Sequence, residues 1–405
     1  MGTRPQRTLT SLRERNRQRI VAALRERGQV SQPEIVRMTG LSRTTVSSLL
    51  SELKTAGMVV ELEGRAGEPG YPRGGRPPVR LALHDSSGAV VGIDFGHSHV
   101  QVAVADLAHN VLAERFRDLD VNCAPEALDA SAEMADDALR EAGVTRSKVI
   151  GAGIGIPGPV DRERGTLGSA TILPGWLGVR VADALEQRLQ LPLEIDNDAN
   201  LGALAELTWG AGRGRSNFAY VKASTGIGAG IVVDGRLLRG VSGTAGEIGH
   251  TTINEGGALC YCGNRGCLET VASGPAIIQL VGGRHGEDLA LSQVVSLAAA
   301  GDVGCRRAIS DAGREIGVAI AGLCNLINPE RVIVGGLLSR TGDLLLDPIR
   351  ASIRRCAVQA AAERVEVVTA LFVERAELLG SLALALRASN PAFTARLLAP
   401  VQGGA

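Results

Sequence analysis

Residues 247–269 read EIGHTTINEGGALCYCGNRGCLE. Three cysteines, Cys260, Cys262 and Cys267, follow His250 within this one stretch. Three thiolates and one imidazole make a closed tetrahedral donor set of the kind structural Zn2+ takes. Gly263 and Gly266 permit the tight turns that let the sulfurs converge. A full donor set leaves no open position, so the expected zinc is structural rather than catalytic. The alternative, three buried free thiols, fits this spacing poorly. Glu247 and Glu269 would be pinned near the metal, where they can meet hydroxyls of a polar ligand. His250 would keep one ring nitrogen on the zinc and turn the other to that ligand.

Working outward, the other four cysteines are scattered, and an odd total of seven makes a poor disulfide framework. The chain has 405 residues, 45% of them hydrophobic, enough for two or three domains with sizeable cores. Its formal net charge is zero, but the charge is unevenly spread. Residues 1–80 hold 15 Arg and Lys against 7 Asp and Glu. A basic head suggests a polyanionic partner; a merely well-solvated N-terminus is the plainer alternative. The opening MGTRPQRTLTSLRERNRQR has no apolar core and does not read as a secretory leader. Gln6 spoils a myristoylation pattern. No stretch reaches the ~18 apolar residues of a membrane helix. A cytoplasmic protein without a membrane partner is expected.

The head, residues 1–85, reads as three short helices and a ribbon. Arg17–Arg27 places Ile20, Val21, Ala23 and Leu24 on one face, and Gly28 stops it. Ser31 can cap a second helix with Ile35, Val36 and Met38 inside. Thr39-Gly40 turns the chain, and Ser42 can cap a third helix with Val46, Leu49, Leu50 and Leu53 inside. Met58–Leu62 and Val79–Leu83 read as strands around a Gly/Pro/Arg-rich loop, a wing. A helix pair of this kind lays its second helix in the DNA major groove. Arg43, Thr44, Thr45 and Ser47 on that helix, with Arg76 in the wing, are the candidate DNA contacts. A small protein-interaction domain is the alternative.

Beyond Asp85–Gly88 strands alternate with helices, an α/β body of ~300 residues in two lobes. No short-period repeat is visible. Strand 89–94 ends in Asp94-Phe95-Gly96, and a second loop reads STGIGAG over residues 224–230. Glycine loops let backbone N–H groups surround an anion such as phosphate. Many such turns bind nothing. Asp196-Asn197-Asp198-Ala199-Asn200 precedes a helix. Asp198 can take a proton from a sugar hydroxyl and Asn197 can bond neighbouring hydroxyls. Helix capping explains the same residues equally well.

Together, EIGH (247–250) with CYCGNRGCLE (260–269), IPGPVD (156–161), DNDAN (196–200) and STGIGAGI (224–231) resemble the ROK family of repressors and sugar kinases. The resemblance runs from about Arg15 to Leu386. It implies a two-lobed actin-like (ribonuclease H-like) body: 89–198 as first lobe, completed by a helix near 374–388, and 199–373 as second lobe with the zinc motif. It also implies a saccharide held by Asn197, Asp198, Glu247, His250 and Glu269, with Asp198 in the position of the catalytic base. Asp94, Gly96, Thr225 and Gly226 would line nucleotide phosphates, and Gly335-Gly336 the adenosine side.

One departure bears on ATP. Kinase members carry a first loop of the type Asp-x-Gly-Gly-Thr-Lys, whereas this chain has Asp94-Phe95-Gly96-His97-Ser98-His99. His97 should crowd the phosphates, and the fixed positive charge is missing. Positioning and electrostatics are most of what a phosphoryl-transfer site supplies. The expectation is a repressor of carbohydrate genes, a homodimer or homotetramer on operator DNA. It would answer to a sugar or sugar phosphate and be weak or inactive as a kinase. The rivals are an ATP-dependent sugar kinase with a DNA-binding head and a zinc-stapled interaction protein.

Overall fold

The computed structural model describes residues 6–62, 79–84, 88–162, 164–167, 173–285 and 289–388. The head comprises α1 (Gln6–Arg27), β1 (Gln29–Ser31), α2 (Gln32–Thr39), α3 (Arg43–Thr55), β2 (Val59–Leu62) and β3 (Arg80–Leu83). β3 lies between β1 and β2 and is antiparallel to both. β1 was not expected; three residues carry too little periodicity to announce a strand. Its last residue, Ser31, starts α2 with its backbone N–H and hydroxyl both donating to Glu34 at 2.7 Å. Ser42 caps α3 by accepting from the Thr45 N–H at 3.1 Å.

The expected inner face of α3, Val46, Leu49, Leu50 and Leu53, is buried. α2 differs. Met38 is 39% exposed and Thr39 is buried instead. Thr39 donates its hydroxyl to the Ile35 carbonyl at 2.6 Å, so its polar atom is satisfied inside the helix. The wing tip, residues 63–78 with Arg76, lies outside the described residues.

The first body sheet is built from β4 (Ala89–Phe95), β5 (His99–Asp106), β6 (Val111–Asp118), β7 (Val149–Ile156) and β10 (Leu193–Asn197). Among these run α4 (Ala124–Glu141), α5 (Val181–Leu189) and a small ribbon, β8 (Val160–Asp161) and β9 (Thr166–Leu167). After α6 (Asp198–Thr208) comes a second sheet: β11 (Phe218–Ala223), β12 (Ile227–Val233), β13 (Arg236–Leu238), β14 (Arg331–Gly335) and β15 (Glu366–Thr369). Its helices are α7 (Glu269–Ala272), α8 (Gly274–His285), α9 (Leu291–Ala299), α10 (Val303–Ile327), α11 (Asp343–Cys356) and α12 (Gln359–Ala362), and α13 (Ala376–Arg387) ends the fold.

The strand orders are β10-β7-β4-β5-β6 and β15-β14-β11-β12-β13. In both, a three-stranded antiparallel meander is followed by two parallel strands added beside its first strand. The body is therefore one topology used twice, the actin-like arrangement.

α13 returns from the second sheet and lies on the first. Three glycines make room for it. A Cβ at Gly153 would fall 2.0 Å from the Ser381 carbonyl oxygen, one at Gly380 2.0 Å from that of Leu201, and one at Gly92 2.4 Å from Ser381 Oγ. The head docks on the same layer. Ile20, Leu24 and Val30 share one buried apolar cluster with Val90 and Ile150 of the sheet and Leu382 and Leu386 of α13. The head is thus packed onto the body rather than tethered to it.

Gly153→Ala is expected to destabilise the chain by about 3 kcal/mol through overpacking against backbone. Gly322, exposed within α10 with nothing within 4 Å of a new Cβ, is the contrast. Gly322→Ala should stabilise by about 0.5–1 kcal/mol. Urea melts followed by circular dichroism measure both, and equal midpoints for the two variants would contradict the packing account.

Candidate ligand cleft and metal centre

The ligand atoms of His250, Cys260, Cys262 and Cys267 all lie within 4.8 Å of one another. Cys260 Sγ is 3.7 Å from His250 Nδ1, and Cys262 Sγ is 3.7 Å from Cys267 Sγ. Zinc bonds of about 2.0–2.3 Å at tetrahedral angles give ligand-to-ligand edges of roughly 3.5–3.8 Å. A disulfide would need about 2.05 Å. The donor set therefore fits a tetrahedral ion. The loop is shaped for it: Gly266 has φ +64, and a Cβ there would fall 1.6 Å from the Asn254 carbonyl oxygen. Short bridges join Thr252 to Cys267 and Leu259 to Arg265. A zinc ion here would tie residues 250–269 into one piece and keep Nδ1 of His250 occupied.

A cavity of about 550 Å³ opens between the lobes. Asp94, Gly96, Asn197, Asp198, Thr225, Gly226, Glu247 and Gly336 line it, so most of the expected saccharide and phosphate residues do meet. Glu269 lines a neighbouring cavity of about 410 Å³, which shares His97, Thr225 and Gly226 with the first. Gly335 does not open onto either; the Tyr220 ring packs where its Cβ would be.

The first glycine loop is filled by its own side chains. A Cβ at Gly96 would fall 2.2 Å from the His99 ring. That ring stacks on Phe116 with centroids 5.4 Å apart, and its Nε2 lies 3.6 Å from Asp94 Oδ2. His97 borders both cavities, and burial lowers its pKa, which favours the neutral ring.

Asn197 is the N-cap of α6. Its side-chain oxygen accepts from the Ala199 N–H at 2.9 Å and the Asn200 N–H at 3.3 Å. Its amide nitrogen donates to the Gly158 carbonyl at 2.9 Å. Capping, the structural alternative, is therefore in force, and it orients Asp198 as the first residue of the helix. Asp198 Oδ2 accepts from the Lys222 ammonium at 2.9 Å. The same ammonium is 3.0 Å from Glu377 Oε1 at the start of α13. Burial opposes its charge, but Asp198, Glu377 and Asp94 outweigh that and hold Lys222 protonated. Asp196 is occupied separately by Arg239, with Nη2 to Oδ2 at 2.6 Å. For Glu247, burial and then the charges of Asp198 and Glu269 push the pKa up to about 7.

Lys222 and Glu377 escaped the sequence reading. A lysine at the inner end of a strand is a hint, but its partners lie on two other elements. On α3, Arg43, Thr44 and Ser47 are exposed and Thr45 is half-buried. The hydroxyls of Thr44 and Thr45 lie 2.9 and 2.8 Å from Ser42 Oγ, so the cap shares them.

A two-lobed actin-like body with a zinc-type knuckle at its cleft and a winged head defines the class. The ROK family model matches residues 90–388, and a MarR family model matches residues 15–67. The chain belongs to the ROK family. It is 31% identical over 391 residues to the xylose repressor of Caldicellulosiruptor bescii, covering 93% of this chain and 96% of that one. The crystal structure of a ROK family transcriptional regulator, a homologue of the Escherichia coli MLC protein, matches with TM-score 0.75 and 26% identity, over 96% of this chain and 98% of that one. A Streptomyces griseus ROK glucokinase solved with glucose and AMPPNP matches with TM-score 0.65 and 31% identity, over 73% of this chain and 99% of that one.

Cys262→Ser should lower metal content and melting temperature together, because ligand loss and loss of folding energy are coupled. Elemental analysis by plasma mass spectrometry and a thermal melt on one preparation test this. Full zinc with an unchanged melt would remove the assignment.

Proposed function

We propose that this chain is a sugar-responsive, DNA-binding repressor whose zinc-stapled cleft binds a saccharide and whose kinase chemistry is lost. The observation that carries the reading is the pair of helices joining cleft to head. α6 begins at Asp198 in the cleft and ends beside Trp209. The Trp209 indole donates to His109 Nδ1 at 3.2 Å, and His109 Nε2 donates to the Arg25 carbonyl in α1 at 2.6 Å. α13 begins beside Glu377, which Lys222 holds, and ends at the head. There Arg387 pairs with Glu26 at 3.0 Å, and the buried Arg25 guanidinium donates to the Ala388 carbonyl.

A saccharide hydroxyl that donates to Asp198 competes with Lys222 for the same carboxylate. The ion cluster at the root of both helices then rearranges, and the rigid α6–α13 pair carries the change to α1. A ligand shifts the head only by its differential affinity for the two arrangements. A dimer on a palindromic operator, with Arg43 and Ser47 toward the groove, is the arrangement the head suits. The repressor relatives that span the whole chain, head included, support this reading.

The kinase alternative draws on Asp198 and on likeness to a glucokinase. Three features oppose it: His97 and His99 fill the first phosphate loop, the loop's expected cation is missing, and Lys222 already holds Asp198. With a proton donor bonded to it, Asp198 is a poor base. In a coupled assay with ATP, Mg2+ and a panel of hexoses and amino sugars, no turnover is expected. Robust turnover that disappears in Asp198→Asn would overturn the proposal. In thermal shift, one of D-xylose, D-glucose or N-acetylglucosamine should raise the melting temperature. The same sugar should change affinity for a duplex selected from a random pool by about 5–150-fold. No shift with any sugar and no duplex binding would sink the reading.

The junction also makes a pH prediction. Burial lowers the pKa of His109 below 6.5. The neutral ring is needed to accept from Trp209, so the native state resists the proton that the unfolded chain takes up. Stability should therefore be full above about pH 6.5 and fall as pH drops toward the lower folded value. His109→Gln should flatten part of that fall in urea melts between pH 7.5 and 5; an identical slope would refute the role.

A further inference from the structure

The zinc-type loop carries one more group to the second cavity. Tyr261 lies between two cysteine ligands, and its hydroxyl donates to Glu269 Oε2 at 2.5 Å. The same oxygen is 3.3 Å from His250 Nε2, and the two rings meet edge-on with centroids 5.2 Å apart. The other oxygen of Glu269 is taken, because Oε1 accepts from the Ile227 N–H at 2.7 Å. The other nitrogen of His250 is taken too, because Nδ1 faces Cys260 Sγ. A metal on Nδ1 leaves the ring proton on Nε2.

One oxygen atom therefore accepts from an imidazole N–H and donates to a carboxylate. That is the pair of bonds a saccharide hydroxyl offers. Both groups have been read above as saccharide ligands; while the phenol stays, the Nε2 side of His250 is taken and each Glu269 oxygen already accepts one bond. Little holds it there otherwise. Tyr261 is 48% exposed, and Gly263, with φ +93 and nothing within 4 Å of where a Cβ would sit, follows two residues on. Swinging the ring out costs the two hydrogen bonds of its hydroxyl and little apolar burial.

We propose that Tyr261 is a built-in stand-in for a sugar hydroxyl: it holds His250 and Glu269 oriented in the free chain and is displaced when ligand binds. The proposal rests on the saccharide reading of the cleft and adds a specificity rule. A neutral polyol evicts Tyr261 only if one hydroxyl replaces both of its bonds. A sugar deoxygenated at that carbon leaves the phenol in place and binds weakly. The second cavity, which Tyr261 lines, changes shape with it.

The test uses the full zinc-loaded chain and calorimetric titration with D-xylose, D-glucose and N-acetylglucosamine. Tyr261→Phe removes the competing hydroxyl but keeps the ring. It should bind the preferred sugar about tenfold more tightly, the scale of one hydrogen bond to a charged group. Zinc content and melting temperature should match those of the unaltered chain. Equal or weaker affinity overturns the proposal while leaving the saccharide reading intact. No heat from either chain with any sugar sinks the saccharide reading and this one with it. A second measurement uses the chain with its three tyrosines replaced by 3-fluorotyrosine. The fluorine resonance missing from Tyr261→Phe should move when sugar saturates the unaltered chain, and a stationary resonance at saturation also overturns the proposal.

Discussion

An ammonium group inside a protein has to be answered by carboxylates, and in this chain one ammonium ties three elements together. Lys222 stands on β11 of the second sheet, Asp198 opens α6, and Glu377 lies at the start of α13. Lys222 and Asp198 are 22% and 16% exposed at the cavity wall, so removing either leaves a charge that is only partly screened. The cleft cannot change its charge pattern without moving the roots of α6 and α13. Those helices have no freedom to slide, since Gly380 and Gly153 bring backbone against backbone. Asp198 is therefore joined to the head by close-packed elements that end where Arg25, His109 and Trp209 are hydrogen-bonded.

The metal knuckle does a different job in the same cleft. A bound metal would fix a loop that has little apolar burial of its own; Leu259 and Tyr261 are both exposed. Four bonds to a metal ion would replace the core that a loop of this length lacks. A metal on Nδ1 would also leave Nε2 of His250 as the donor opposite the Glu269 acceptor. Orientation of a donor and an acceptor at fixed spacing is what distinguishes one hydroxyl pattern from another.

How much of this was legible in the sequence depended on distance along the chain. The convergence of His250, Cys260, Cys262 and Cys267 was, because all four crowd into residues 250–267. α3 was, because cap and apolar period agree. Met38 was misjudged because eight residues give a short helix two plausible inner faces, and the Thr39 hydroxyl could satisfy itself locally. Asn197 was open between capping and ligand binding, and its hydrogen bonds serve the cap. The doubled topology left no sequence repeat, since a strand order can recur with entirely different side chains. Lys222, Glu377 and the His109–Trp209–Arg25 junction were invisible for one reason: each is a meeting of residues from distant segments, and no periodicity or spacing encodes such a meeting.

The electrostatics of the cleft bear on which ligand it can take. Asp198 and Glu377 flank one ammonium and Asp94 adds its charge from farther off, so carboxylates outnumber the ammonium at the base of the cavity. Asp94 Oδ1 is buried with no hydrogen-bond partner among the described residues. A buried acceptor without a donor is costly and calls for one from a ligand or water. A phosphate group carries only acceptors and negative charge, so it would meet repulsion where the first loop no longer offers it open backbone. A saccharide carries hydroxyls, which donate to Asp94 and Asp198 and add no charge to be neutralised. The loop that in a kinase cradles an anion is here closed by His99 on Phe116, and what remains open is an acceptor-rich wall. A wall of that kind suits hydroxyl donors, the groups that can pair with Asp94 and Asp198 without adding charge.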